Sequence, residues 1–165
     1  MKTLIFIRHA KSDWGYEFLN DIDRPLNEKG YRDTYHLSKW YKDNFPNPHI
    51  IYSSPATRAI STALIFSRAL SYPETTINIV NGIYEGSIDT WLQNITNIDN
   101  KHSIAMFFGH NPTITNIANH LSGHLFFDSI PTTGIVKMDF DTTDWKKLID
   151  IKSTKTEHKF IKEIK

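Results

Sequence analysis

A chain of 165 residues with no cysteine has the size of one domain, and it excludes disulfides, thiolate catalysis and cysteine-ligated zinc. Its 19 Lys and Arg against 18 Asp and Glu leave a formal net charge of +1, so no global field favours nucleic acid or an anionic membrane, and any electropositive feature has to be local. The apolar run at the amino end is too short for a signal peptide and no run approaches the ~18 residues of a membrane helix, which sets the expectation of a cytoplasmic protein.

Leu4-Ile5-Phe6-Ile7 is a run of β-prone residues that reads as a buried strand. It delivers Arg8-His9-Ala10-Lys11-Ser12 at its carboxyl end, where open α/β sheets place their ligands. Residues 11 to 27 are polar and turn-rich, with Trp14, Tyr16 and Phe18 interspersed. A loop that long in a compact domain is usually functional or mobile, and its aromatics are expected either at a rim touching a protein partner or in the core. Asn27-Glu28-Lys29-Gly30 opens a helix to about Asn44, with Tyr31, Tyr35, Leu37 and Tyr41 near helical spacing and Pro46 and Pro48 as the stop.

A second strand at 49–52 feeds a helix from Pro55 to about Leu70, with Ser54 as N-cap and Pro55 at the first helical position. That places Arg58 at the end of the first turn. A short strand from Ile77 to Val80 precedes Tyr84-Glu85-Gly86, and Ile88 to about Ile98 reads as helix. Ile104-Ala105-Met106-Phe107-Phe108 belongs to a strand at 103–108 that runs into Gly109-His110. Asn111 is expected to cap the next helix, with Pro112 at its first position and a stop near Gly123. Ile135 to Phe140 and Lys147 to Ile151 are expected as strands forming an edge pair. The domain is taken as 1–152, followed by a basic tail, 153–165, whose Lys155, Lys159, Lys162 and Lys165 are expected in solvent. Strands alternating with helices predict a single-domain α/β fold, a doubly wound, mostly parallel sheet with helices on both faces.

Three strand ends thus present Arg8, His9, Arg58 and His110, a cationic set suited to a phosphoryl group. Each arginine offers a planar fork that can grip two phosphate oxygens. Arg58 reads equally as a surface arginine or as one paired with an acid such as Glu85. Glu85 itself is either a proton donor and base or an ordinary exposed turn residue. Arg24, Lys11 and Ser12 either line the rim or are solvated. His120 and His124 are four apart, but Gly123 stands between them and no third ligand accompanies them, so no metal site is assigned.

Arg8-His9-Ala10 resembles the Arg-His-Gly signature of the histidine phosphatase superfamily, the phosphoglycerate mutase-like fold. Arg24-Pro25-Leu26-Asn27-Glu28-Lys29-Gly30, Ser53-Ser54-Pro55-Ala56-Thr57-Arg58-Ala59, Tyr84-Glu85-Gly86 and Gly109-His110-Asn111-Pro112 resemble its later blocks, in order. The short chain and the stretch Arg8 to Trp14 are most similar to the SixA-type phosphohistidine phosphatase branch. Ala10 departs from the usual glycine and is tolerable where φ is negative. The resemblance implies that His9 is the nucleophile, carrying a phosphohistidine intermediate, and that His110 donates to the phosphoryl oxygens. It supports Arg8 and Arg58 as phosphate-gripping residues and implies Glu85 as acid and base; Arg8, Arg58, His110, Ser12, Arg24 and Asn111 are expected to bind substrate. An imidazole nucleophile also needs its second nitrogen held by an acceptor, for which a nearby backbone carbonyl is expected.

The leading expectation is a metal- and cofactor-independent phosphatase acting on protein phosphohistidine. Its rivals are a phosphatase of a small phosphorylated metabolite and, in another class, a non-catalytic phospho-ligand binding module. No nucleic-acid or membrane partner is expected.

Overall fold

The computed structural model describes residues 1–124 and 127–164. Six strands form one sheet: β1 (Lys2–Arg8), β2 (Ile50–Ser53), β3 (Asn78–Ile79), β4 (Ile104–Gly109), β5 (Ile135–Phe140) and β6 (Lys155–Lys159), in the order β3-β2-β4-β1-β5-β6. The pairs β2–β3, β2–β4 and β1–β4 are parallel, whereas β1–β5 and β5–β6 are antiparallel. The central strands are apolar throughout because both of their faces are covered. Leu4 and Phe6 of β1, with Ala105 and Phe107 of β4, enter one core cluster; Ile5, Ile7, Met106 and Phe108 enter the other.

Helices α1 (Glu28–Asn44) and α2 (Thr57–Ala69) close the second face through Leu37, Tyr41, Ala63 and Phe66. The first face is covered by α4 (Ile88–Thr96) and α5 (Thr113–Ser122), with a four-residue helix α3 (Gly82–Glu85) leading into α4. Among the described residues no helix is long and apolar enough to cross a membrane.

Several boundaries differ from the sequence expectation, each for a local reason. The second helix starts at Thr57, not Pro55, because Ser54 Oγ accepts the Ala56 N–H at 3.1 Å and closes a turn ahead of it. Arg58 therefore lies within the first turn of α2. Asn111 does not cap α5. Its side-chain amide donates to Ser129 Oγ and to the Ile130 carbonyl, both at 2.9 Å, and the helix begins at Thr113 after Pro112. The stretch expected as a strand at Lys147–Ile151 is a 3-10 helix, Trp145–Ile149, wound inward by Trp145 and Leu148, both buried. The true partner of β5 is β6, so residues placed in a solvated tail continue the sheet. Their charges are compatible with this because Lys137 of β5 bonds both Asp139, at 2.8 Å, and Glu157 of β6, at 3.1 Å.

Candidate active site

The parallel strands β1, β2 and β4 run the same way, so their carboxyl ends meet at one edge of the sheet. Arg8 is level with Gly109, and Ser53 with Phe108. The backbone continues that register past the strands: His9 N donates to Gly109 O at 3.0 Å, and Ser54 N to Phe108 O at 3.0 Å. From the antiparallel side, Thr133 N donates to both Arg8 O (3.0 Å) and His9 O (3.2 Å). Thr133 adopts φ 64° to do so, a conformation costing a β-branched residue on the order of 1–3 kcal/mol.

His9 is buried, and its Nδ1 lies 2.7 Å from the Ala10 carbonyl. A carbonyl only accepts, so Nδ1 carries the proton and Nε2 keeps its lone pair. Burial, reinforced by His110, Arg58 and Arg8, pushes the His9 pKa down to about 3, against the carbonyl's opposing pull. The ring is therefore neutral at physiological pH and nucleophilic at Nε2. The His110 ring stands 5.0 Å away, centroid to centroid. Burial first, then Arg58, lowers its pKa to about 4. His110 Nε2 meets Ser54 Oγ at 2.7 Å.

Arg8 donates through one terminal nitrogen to the Ile130 carbonyl at 2.9 Å, the same oxygen that Asn111 engages. Burial, and then Arg58 beside it, pulls the Arg8 pKa downward. Arg8 Nε, Arg58 Nε and His110 Nδ1 are buried with no hydrogen-bond partner among the described residues. Buried polar atoms left unpaired cost on the order of 1–3 kcal/mol each, a cost that a ligand supplying their hydrogen bonds would offset.

Sequence reasoning missed Asp21. Its carbonyl accepts from Arg58 Nη1 at 2.6 Å and its carboxylate from Arg58 Nη2 at 3.0 Å, from Arg24 Nε at 3.1 Å, and from the Tyr84 hydroxyl. Tyr84 first, then Arg58 and Arg24, hold this carboxyl well below the usual carboxylate range. Asp21 is thus a fixed anion that aims two arginines and cannot serve as an acid near neutral pH. Nothing local in the sequence marks it, since its partners lie 3, 37 and 63 residues away. Thr62 was also missed: its hydroxyl receives Ala10 N–H at 3.0 Å and donates to Arg58 O at 2.7 Å, coupling α2 to the nucleophile's loop.

Arg8, His9, Arg58 and His110 come together as the sequence suggests. Ser12 Oγ accepts from Arg24 Nη1 at 2.5 Å, which places that pair one shell outward from Arg58. Lys11 is exposed, and its carbonyl receives Asn27 N–H at 3.0 Å. Ala10 has negative φ and packs with Leu26 and Ile65. Glu85 ends α3 exposed to solvent, without a hydrogen-bond or ion-pair partner among the described residues, while its neighbour Tyr84 sets its ring 5.4 Å from that of His110.

The sequence model described as the histidine phosphatase superfamily, branch 1, matches residues 4–112. The chain belongs to the histidine phosphatase superfamily. The match runs from within β1 to Pro112, just ahead of α5, and includes Arg8, His9, Arg58 and His110. An uncharacterized chloroplastic protein of Arabidopsis thaliana is 30% identical over 130 residues, 74% of this chain and 60% of that protein. The histidine phosphatase fold described here is similar to that of a protein from Agrobacterium tumefaciens provisionally assigned as the phosphohistidine phosphatase SixA. The identity is 26% and the TM-score 0.77, covering 84% of this chain and 91% of that one. A structure of the protein histidine phosphatase SixA complexed with tungstate superposes with a TM-score of 0.82 at 17% identity, over 99% of both chains. That level of identity speaks to the fold alone.

Proposed function

We propose that this histidine phosphatase hydrolyses phosphohistidine on proteins, without a metal ion, through a phosphoryl group carried on His9. The observation that carries the reading is the His9 ring. It is neutral, its Nδ1 proton is committed to the Ala10 carbonyl, and its free Nε2 belongs to a ring 5.0 Å from that of His110 and within the field of Arg8 and Arg58. Nε2 attacks phosphorus while Arg8 Nε, Arg58 Nε and His110 Nδ1 donate to the phosphoryl oxygens. The bond from phosphorus to the leaving atom breaks, and its electron pair goes to that atom. A leaving imidazole protonated at its far nitrogen departs neutral and needs no acid from the enzyme. An alkoxide takes a proton from Glu85. Water then attacks the phosphorylated His9 and yields its proton to the Glu85 carboxylate; the P–N bond returns its electrons to Nε2, and phosphate leaves. Arg24 and Ser12 line the rim, and Asn111 steadies the carbonyl that holds Arg8. Positive charge at the site comes from arginines, so no cation is required.

The similarity to the Agrobacterium tumefaciens protein provisionally assigned as a phosphohistidine phosphatase supports the substrate class. So does the low demand that a P–N bond makes on an exposed Glu85. Rapid-quench incubation with a labelled phosphodonor should leave acid-labile, base-stable label on His9, and His9→Ala should retain no more than a trace of turnover. Chelator should not change the rate. A sugar or nucleotide phosphate preferred over a phosphohistidine protein by more than about tenfold in kcat/KM, or ~1.4 kcal/mol, would transfer the chain to small-molecule phosphatases. A tightly bound phospho-ligand without label or turnover would make it a binding module.

A further inference from the structure

The loop between β1 and α1 carries an apolar surface that the reaction itself does not use. Phe18 is 99% exposed, Trp14 77%, Tyr16 55% and Leu19 42%. Gly15 to Leu19 frame a shallow groove. The loop is shaped: Asp13 Oδ1 accepts Gly15 N–H at 2.7 Å, and Ser12 pairs with Leu26 across its base. An apolar cluster of this kind on a small domain marks an interaction site more often than chance decoration.

Its place in the molecule narrows the partner. The Trp14 ring lies over the Arg24 guanidinium, 3.5 Å from its centroid, and Arg24 bonds Ser12 and Asp21. Asp21 in turn holds Arg58. The aromatic surface is therefore continuous with the phosphate cage, so a molecule seated on the loop and one seated in the cage are neighbours. A small phosphate ester that fills the cage leaves Phe18 and Leu19 in water. The segment from Asp13 to Leu19 contains Asp13 and Glu17 and no Lys or Arg. Two carboxylates without a cation disfavour an anionic lipid surface or nucleic acid and favour an apolar patch rimmed by basic side chains.

We propose that the loop Trp14–Leu19 is the docking surface for the protein that carries the phosphorylated residue, gripping an apolar, basic-rimmed patch beside that residue. This rests on the functional reading above and adds where protein specificity resides: in a loop outside the cage, read mainly in KM. Trp14 is the hinge between the two, since it serves both the loop and Arg24.

The test compares one reacting group in two settings, free phosphohistidine and a folded histidine-phosphocarrier protein phosphorylated with phosphoramidate. Wild type should favour the protein by at least about tenfold in kcat/KM. The double variant Phe18→Ser, Leu19→Ser should lose about fivefold or more on the protein, through KM, and stay within about twofold of wild type on the free amino acid. Both positions are exposed, so folding is not at stake, and unchanged thermal unfolding checks this. A variant that keeps the protein preference, a wild type without one, or equal losses on both substrates would overturn the docking assignment while leaving phosphohistidine hydrolysis standing. Failure of wild type on both forms, with turnover of phosphoserine, would overturn the functional reading and the docking assignment with it. Pelleting of wild type, but not the variant, with phosphatidylcholine vesicles would assign the loop to lipid and overturn the proposal.

Discussion

Replacing Ser54 by alanine removes the hydroxyl that decides which nitrogen of His110 carries the proton. Ser54 Oγ accepts Ala56 N–H at 3.1 Å and lies 2.7 Å from His110 Nε2, and we assign the Ser54 proton to that nitrogen. An imidazole that accepts at Nε2 must be protonated at Nδ1, and Nδ1 is the buried nitrogen without a partner. Ser54 thus presents an N–H to the phosphoryl group. Without it the Nδ1–H tautomer loses a net hydrogen bond worth about 1–1.5 kcal/mol, the Nε2–H form that offers no donor becomes dominant, and kcat/KM should fall by up to about 10-fold. Deleting the donor outright in His110→Ala should cost on the order of 10²-fold or more. The same substitution leaves Ala56 N–H and His110 Nε2 unpaired in a dry site, a destabilisation of about 1–3 kcal/mol. Nitrogen NMR of the His110 ring reads the tautomer directly, and steady-state rates on an aryl phosphate read the consequence. Finding the wild-type proton on Nε2, or a folded Ser54→Ala enzyme within about twofold of wild type, would refute the reasoning.

Acid should loosen the fold early. His9 and His110 titrate near 3 and 4 when folded against an ordinary 6.5, so below pH 6.5 the unfolded chain takes up protons the native state refuses. Their contribution is complete above that value and is lost as pH falls, by up to about 1.4 kcal/mol per pH unit for each ring; urea midpoints at pH 7.5 and 5 should differ accordingly, and His110→Gln should flatten the slope. Gly30→Ala should destabilise, because its Cβ would stand 2.2 Å from the Lys11 carbonyl oxygen. An overpacking cost of about 2 kcal/mol corresponds to a fall in Tm of roughly 4–8 °C, and an unchanged melting curve would show that the loop yields. Glu85→Gln should slow alkyl phosphates far more than aryl phosphates, whose acidic phenols leave unaided; equal effects on both would make Glu85 a positional residue instead.

The strands that build the site were legible because β1 and β4 are apolar on both faces and end abruptly, β1 in Arg8-His9 and β4 in Gly109-His110. The gathering of Arg8, His9 and His110 followed from those ends, whereas the sequence offered only a backbone carbonyl in general as the partner of His9 Nδ1, and the fold makes it that of Ala10. Strand β6, Lys-Thr-Glu-His-Lys, was not legible, since an edge strand with polar side chains has neither alternation nor an apolar run. It is recruited by backbone bonds to β5 and by the Lys137–Glu157 contact, a tertiary partnership with no local trace. Lys147–Ile151 reads as a strand because it mixes apolar and basic residues in short range, yet Trp145 just before it, its indole N–H bonded to the His102 carbonyl at 2.8 Å, fixes a helical turn. Asp21 escaped notice for the same reason as β6: its meaning comes from Arg58 and Tyr84, distant in the chain. Ser54 was seen but as a helix cap; only the fold brings His110 to its hydroxyl.

The two borders of the sheet carry a further consequence. A free strand edge is a template on which a second chain can extend the ladder. At one border the template is only Asn78–Ile79, too short to hold a foreign strand in register. At the other, β6 holds Lys155, Glu157 and Lys159 within five residues, so any copy laid against it in register would meet like charges. The lysines of β6 are thereby guards against self-association. Exchanging Lys155 and Lys159 for threonine would preserve strand propensity, remove the repulsion, and make this edge prone to aggregation, visible as light scattering that grows with protein concentration.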